Sequence, residues 1–203
     1  DFGRSASVNQ AVIQAHQDGI LTTASLMVNE PGLAGAVALA RAHPRLGVGL
    51  HLTLLDGHAA LSPRQIPGLV NGEGEFGTDP ARAGWRYFFR PALRVQLRAE
   101  VTAQFEKFRA TGLPLDHVDS HHHLHMHPVI MNFLLAQART LGITHLRLTR
   151  EPLGAHRRTG AAFSWPRAGH ALAHGLLARR ARPGFQRLAI RYPAAVFGLL
   201  NSE

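Results

Sequence analysis

The sequence predicts an α/β fold built on a parallel sheet, and three observations carry that expectation. Short apolar runs of strand length alternate with segments of helical apolar periodicity. The run Leu46–Leu52 has one face of Leu46, Val48, Leu50 and Leu52, and an opposite face of Gly47, Gly49 and His51. Histidines gather where expected strands end, which is where α/β folds collect reactive groups.

The elements follow in order. Ser7-x-x-Gln10 has capping-box spacing, and Val8, Ala11, Val12 and Ala15 share a helical face that Gly19 ends. Leu21–Val28 predicts a buried strand. Pro31 opens a second helix with Leu33, Ala36, Val37 and Ala40 on one side, ending near His43-Pro44. In the strand Leu46–Leu52, the two glycines predict a close approach of backbone or ligand. Residues 55–80 form a Pro/Gly-rich loop too long to be a mere connector. Leu93, Leu97, Val101, Phe105 and Phe108 define a long helix closed by Gly112.

Leu115–Ser120 is the next strand and runs into the segment His121–His127. Pro128 starts a helix with Ile130, Phe133, Leu134 and Leu141 on its apolar side, and Gly142 ends it. His145–Leu148 is a further strand, 150–167 is irregular, and 168–182 is an Arg-rich helix.

The 203 residues suit one domain, and 45% hydrophobic content excludes a disordered tail. The absence of Cys excludes disulfides, thiolate metal sites and a Cys nucleophile. No apolar run has the length of a membrane span. The net charge of +9 is unevenly spread: residues 145–203 carry ten Arg against Glu151 and Glu203, so +8 lies there. Aromatics are not interleaved with those arginines as single-strand stacking requires, so no nucleic-acid partner is expected. An anionic membrane is the alternative partner for this segment.

Six histidines lie between His117 and His127. Some of them are expected only to pack or to donate to carbonyls. Others point to a divalent metal, because neutral imidazole is a common ligand. His51 and His121 sit at strand ends, and Asp1 precedes the first helix in the equivalent place. One carboxylate and two imidazoles leave open positions, as a catalytic metal requires. Strand parity puts His123, not His122, on the side of His121; an early helix start would instead pair His121 with His125. Asp119 shares that parity and either orients His121 or caps the turn. Arg147 and Arg150 follow the next strand, where they either bind substrate or pair with Glu151. Trp85 and Phe88 either stack on a substrate ring or pack in the core.

At these residues the chain resembles the YdjC-like carbohydrate deacetylase family, and most of all its hopanoid-biosynthesis-associated HpnK branch. The matching pieces are Asp1-Phe2-Gly3, Gly19-Ile20-Leu21-Thr22, Ser25-Leu26-Met27-Val28, Gly49-Leu50-His51-Leu52 and the run His117–His123. Branch likeness rests on Ala81–Gly84 with Phe88-Phe89, on Phe108–Val118 and on Arg150-Glu151-Pro152, whereas Asp119–His123 follows the general deacetylase form.

The resemblance implies a distorted (β/α) barrel of about seven strands. It also implies metal ligation by Asp1, His51 and His121, and hydrolysis of an acetyl amide on an amino sugar, either an oligosaccharide or a hopanoid-linked glucosamine. Asp1 matches the second Asp of the family's Ala-Asp-Asp-Phe-Gly opening. The general-base Asp is therefore expected before residue 1, and a later His-Pro segment beyond Glu203. The expectation is a single domain over 1–203, truncated at both ends and lacking the barrel's first strand and C-terminal part.

His123 and His125 are the in-chain candidates for the catalytic acid or for substrate contact. Histidine ligation favours Zn²⁺ over Mg²⁺, and the resemblance keeps both open. The alternatives are a metal-dependent phosphoesterase on a similar barrel and a non-catalytic metal- or anion-binding protein. The expected location is cytoplasmic, peripheral at the inner membrane face if the acceptor is a lipid, and a homo-oligomer is compatible with the sequence.

Overall fold

The computed structural model describes residues 1–150 and 165–197. Its centre is a parallel sheet of β1 (Thr23–Leu26), β2 (Gly47–Leu52) and β3 (Val118–Ser120), in that order. Single parallel bridges extend it on both sides, from Phe2 to Leu26 and from Val118 through Leu146, then His145 to Arg191. The α/β class with a parallel sheet is therefore present. Among the described residues the sheet has three strands, because the expected strand His145–Leu148 pairs through isolated bridges only. The irregular stretch expected at 150–167 lies largely outside the described residues, as do Glu151 and Glu203.

The cap of helix α1 (Ala6–Gln17) lies two residues before the expected one: Ser5, not Ser7, accepts from Val8 N at 3.3 Å. Its buried side is Asn9 and Ile13, not Ala11 and Ala15. The physical reason is polar. Asn9 Oδ1 accepts from Gly3 N at 2.7 Å and its Nδ2 donates to Gly32 O at 2.9 Å, which ties α1 to the turns before it and before α2 (Leu33–Ala42).

A helix not expected from the sequence, α3 (Pro80–Phe89), precedes α4 (Pro91–Ala110). Asp79 caps it by accepting from Arg82 N at 3.0 Å, and Pro80 occupies the first turn. Leu93, Leu97, Val101, Phe105 and Phe108 of α4 all lie in the core, as their spacing predicts.

The long loop is anchored by buried polar side chains. Glu100 accepts from Ala60 N at 2.7 Å and Leu61 N at 3.0 Å, while Gln104 pairs with both backbone groups of Thr53. Glu30 accepts from His58 N at 2.9 Å. These contacts supply the hydrogen bonds that a strand neighbour would otherwise give.

After β3 the chain turns through a 3-10 segment, His121–Met126, in which His122 (φ 52°) and His123 (φ 55°) adopt left-handed backbone. That kink rules out the continuous helix that would have paired His121 with His125. Helices α5 (Pro128–Ala136) and α6 (Ala138–Leu141) replace the single expected helix, and α7 spans Trp165–Leu188, longer than the expected 168–182. Ala178, Ala181 and Phe185 of α7 join the core.

His125 braces the turn. It is completely buried; its N–H donates to Ser120 Oγ at 2.7 Å, and Nε2–H donates to Arg147 O at 2.8 Å. Nδ1 is then the acceptor for the Ser120 hydroxyl at 2.7 Å. Burial, only partly offset by Asp119, pushes His125 down to about 3, and burial together with Arg147 pushes His123 down to about 4. Between those values and about 6.5 the unfolded chain binds protons that the folded chain refuses.

Stability is therefore fully present above about pH 6.5 and is lost as pH falls, by about 1.4 kcal/mol per pH unit for each such group. Urea unfolding at pH 7, 6 and 5 should show this decline. His125→Gln, which keeps a donor and an acceptor, should lower stability at pH 7 and flatten the decline; an unchanged slope would contradict the assignment.

Candidate metal centre

The parallel register of β2 and β3 places His51 opposite Asp119, at the C-terminal ends of both strands. One layer below, Gly49 lies beside His117, whose ring occupies the space a side chain would need: a Cβ on Gly49 would come within 2.5 Å of it. The close approach predicted from the two glycines is thus an imidazole of this chain, not a ligand. His117 Nε2 lies 2.9 Å from Ser25 Oγ, and the Ser25 hydroxyl donates to Asp119 Oδ2 at 3.0 Å.

Asp119 is fully buried and organises the ligand shell. Its Oδ1 lies 2.6 Å from His51 Nδ1, and its Oδ2 takes an ion pair from Arg147 at 2.8 Å. Burial opposes its charge, but His51 and then Arg147 outweigh burial and hold the carboxyl well below the usual carboxylate range. An ionised Asp119 accepts the proton on His51 Nδ1, so in the neutral imidazole His51 Nε2 carries the lone pair, whereas an imidazolium would carry a proton there as well. The partner that sequence parity offered for Asp119 was His121; the cross-strand register gives it His51 instead.

His51 Nε2 is buried and makes no hydrogen bond, yet Asp1 Oδ1 stands 3.2 Å away. His121 Nδ1 lies 3.3 Å from the same oxygen. A lone pair facing a carboxylate oxygen is unfavourable unless a cation sits between them, so the donor set fits a divalent metal. Asp1, His51 and His121 bring their ligand atoms within 4.8 Å of one another. Burial, with neighbouring His51, lowers His121 from its usual value, which favours the neutral ligating form.

Asp56 and Arg4 complete the rim, and neither was singled out in the sequence. Asp56, at φ 48°, follows β2 and turns Oδ2 to within 3.4 Å of His121 Nε2 and 3.7 Å of His122 Nε2. Arg4 reaches Asp56 Oδ2 at 3.6 Å and His121 Nε2 at 3.3 Å. Burial of Asp56 is outweighed by the bond from His121 and the charge of Arg4, which lower its pKa. Asp56 as acceptor for His121 Nε2–H leaves Nδ1 free to face Asp1, whereas Arg4 as donor to Nε2 would put the proton on Nδ1. The only signal in the sequence was a short acidic residue in a loop, which carries no register.

The other expected residues fall as follows. His125 is closed off by its own hydrogen bonds and touches no open face. His123 is half-buried, with Nδ1 3.5 Å from Thr149 Oγ1. His122, which parity had turned away, is exposed beside Asp56, because the left-handed backbone breaks strand parity. Arg147 is committed to Asp119, while Arg150 is exposed and its carbonyl accepts from Val196 N at 2.8 Å. Trp85 and Phe88 are exposed on α3, so neither packs in the core.

Two substitutions test this shell. Asp119→Asn should weaken divalent-cation binding by about 10–100-fold, since the amide can donate to His51 Nδ1 and move the imidazole proton to the ligating nitrogen. Asp56→Asn should weaken it less, because Asp56 is half-exposed and Arg4 remains beside it. Calorimetric titration with Zn²⁺ decides: equal affinity in Asp119→Asn and the unmodified chain would refute the orienting role.

Over 138 residues the chain is 43% identical to a carbohydrate deacetylase of Brevibacillus brevis, covering 68% of this chain and 52% of that protein. It is 39% identical over 153 residues to a chitooligosaccharide deacetylase of Serratia marcescens, covering 74% and 57%. The chain thus spans little more than half the length of these curated relatives. A solved structure from Enterococcus faecalis V583, described as a candidate cellobiose-phosphate cleavage protein, superposes with a TM-score of 0.68 at 25% identity, covering 96% of this chain and 64% of that one. Residues 1–203 match the family described as YdjC-like protein, and the chain belongs to that family.

Proposed function

We propose that this chain carries the metal centre of a carbohydrate deacetylase, an enzyme that hydrolyses the N-acetyl amide of an amino sugar. The observation that carries the reading is buried His51 Nε2, without a hydrogen bond, facing the Asp1 carboxylate oxygen that His121 also faces. The names of the deacetylase relatives support the substrate class. Asp1, His51 and His121 would hold one divalent ion, Zn²⁺ by the histidine content of the set, with Mg²⁺ the alternative. Such an ion supplies Lewis acidity toward the acetyl carbonyl and acidifies water.

The chain's own residues do the rest. Asp119 keeps His51 in the ligating tautomer, with Arg147 and Ser25 holding the carboxylate still. Asp56 does the same for His121 from the solvent side. A proton for the departing amine falls to an imidazole of the run after β3: His125 is sealed, which leaves His123 and the exposed His122. Arg150 is the exposed cation near enough in the chain to meet a sugar oxygen, since Arg147 is engaged by Asp119.

We further propose that the three strands and their flanking bridges are an arc of the (β/α) barrel that the resemblance implies. A hopanoid-linked glucosamine as acceptor rests on the branch resemblance, and an oligosaccharide on the chitooligosaccharide deacetylase relatives.

The test is acetate release from N-acetylated chitooligosaccharides by the metal-loaded protein. Chelation should abolish it, and His51→Ala or His121→Ala should lower it by at least about 100-fold while leaving the fold intact. Acetate release that survives both substitutions would refute the assignment. Phosphate release from sugar phosphates, without acetate release, would favour a phosphoesterase on the same centre.

A further inference from the structure

Helix α3 carries a surface that the hydrolytic reading does not use. Trp85 is 58% exposed, Phe88 46% and Phe89 60%, while Ala83 and Tyr87 face inward on the same helix. The three rings pack on one another rather than on the core: Trp85 and Phe89 centroids are 5.3 Å apart, and Phe88 and Phe89 5.0 Å. Val95 of α4, 70% exposed, adds to the apolar surface.

Charge surrounds the rings with one sign. Between Asp79 and Glu100 the chain has Arg82, Arg86, Arg90, Arg94 and Arg98 and no acidic residue. Among the described residues the arginine ion pairs involve Arg4 and Arg147, not these five. Arg86 and Arg94 donate to the carbonyls of Gly68 and Phe88, so their charges stay uncompensated, and Arg82, Arg90 and Arg98 are exposed.

We propose that α3 docks the protein on an anionic lipid bilayer, with Trp85, Phe88 and Phe89 entering the head-group boundary and the arginines meeting lipid phosphates. A helix with aromatic residues on one side and arginine flanks is the composition that lies in such an interface. A second copy of the chain fits poorly, because a two-fold contact would set the arginine stretch against itself. Single-stranded nucleic acid fits less well, because the three rings cluster edge-on and tilted against one another rather than standing apart as successive stacking platforms.

The place of the helix gives the contact a consequence. Tyr87 Oη donates to Leu54 O just beyond β2, His127 Nε2 donates to Gly84 O, and Phe88 packs edge-on to His127. These bonds seat α3 on the strand-end rim that carries the candidate metal centre. Docking through α3 therefore holds that rim at the bilayer. The inference stands on exposure and charge, and does not depend on which bond the centre hydrolyses.

Co-sedimentation of the chain with vesicles of phosphatidylcholine, with and without phosphatidylglycerol, tests it. Binding is expected only with phosphatidylglycerol and should weaken as salt is raised. Trp85→Ser with Phe89→Ser should lower partitioning by at least about tenfold. Arg82→Gln and Arg90→Gln should each lower it by about fivefold. Arg179→Gln with Arg180→Gln, on the exposed side of α7, should leave it unchanged. Circular dichroism should show the same fold in every variant, since all these positions are exposed.

Three results would overturn the proposal: no partitioning into anionic vesicles; partitioning lost in the α7 variant and kept in the α3 variants; or no vesicle binding together with lipid-free self-association, or oligonucleotide binding, that Trp85→Ser with Phe89→Ser removes.

Discussion

A single buried carboxylate holds the centre of this molecule together. Asp119 has no solvent contact, so its charge must be compensated by protein, and it is: His51 on one oxygen, Arg147 and Ser25 on the other. An isolated carboxylate in such surroundings would neutralise itself, but here the imidazole and guanidinium outweigh the desolvation and keep it ionised. Each partner comes from a different segment: β1, β2 and the chain after Thr144. The same ion therefore ties neighbouring strands side by side and sets the proton on His51. Removing it would leave the half-buried Arg147 without its carboxylate partner and His51 free to choose either tautomer.

The buried acids share a division of labour that distinguishes them from the exposed ones. Glu100 and Glu30 accept from backbone N–H groups of the long loop, Glu100 taking a bond from the Gln104 amide as well and Glu30 lying beside the His58 ring. Asp119 spends its oxygens on side chains. Asp1 and Asp56, both over a third exposed at the side chain, stand at the rim with oxygens directed at imidazole nitrogens. The acids that hold the loop and orient His51 are buried, and those of the candidate metal centre are half-exposed. Solvent reaches the oxygens of Asp1 and Asp56 and not those of Asp119.

The histidine run shows how one kink redistributes chemistry. In an extended chain, alternate residues would face the centre, and in a helix every fourth would. The left-handed backbone at His122 and His123 satisfies neither rule. It turns His121 to Asp1, exposes His122 beside Asp56 and drives His125 into the interior, where Ser120 and the Arg147 carbonyl saturate it. Three imidazoles close in sequence thereby separate: His121 at the candidate metal centre, His122 at its rim and His125 as a brace. Charge is redistributed in a comparable way. The formal surplus of +9 lies mostly after residue 144, but the arginines flanked by exposed aromatics are those of α3 and the start of α4.

What the amino-acid sequence determined by itself was the periodicity of most elements and three residues that meet at the candidate metal centre. The alternation of apolar runs specifies a parallel α/β sheet, and Leu93 to Phe108 specify the core side of α4, because burial of apolar surface follows directly from spacing. Strand-end position was enough to single out Asp1, His51 and His121, since strand ends converge whatever the details of packing. Tertiary structure decided the rest. The pairing of Asp119 with His51 rather than His121 comes from strand register, which no single strand contains. The part of Asp56 and Arg4, and the sealing of His125, come from a backbone kink that residue preferences oppose. The exposure of Trp85 and Phe88 follows from which side of α3 meets the core, and Tyr87, with its bond to Leu54, claimed that side.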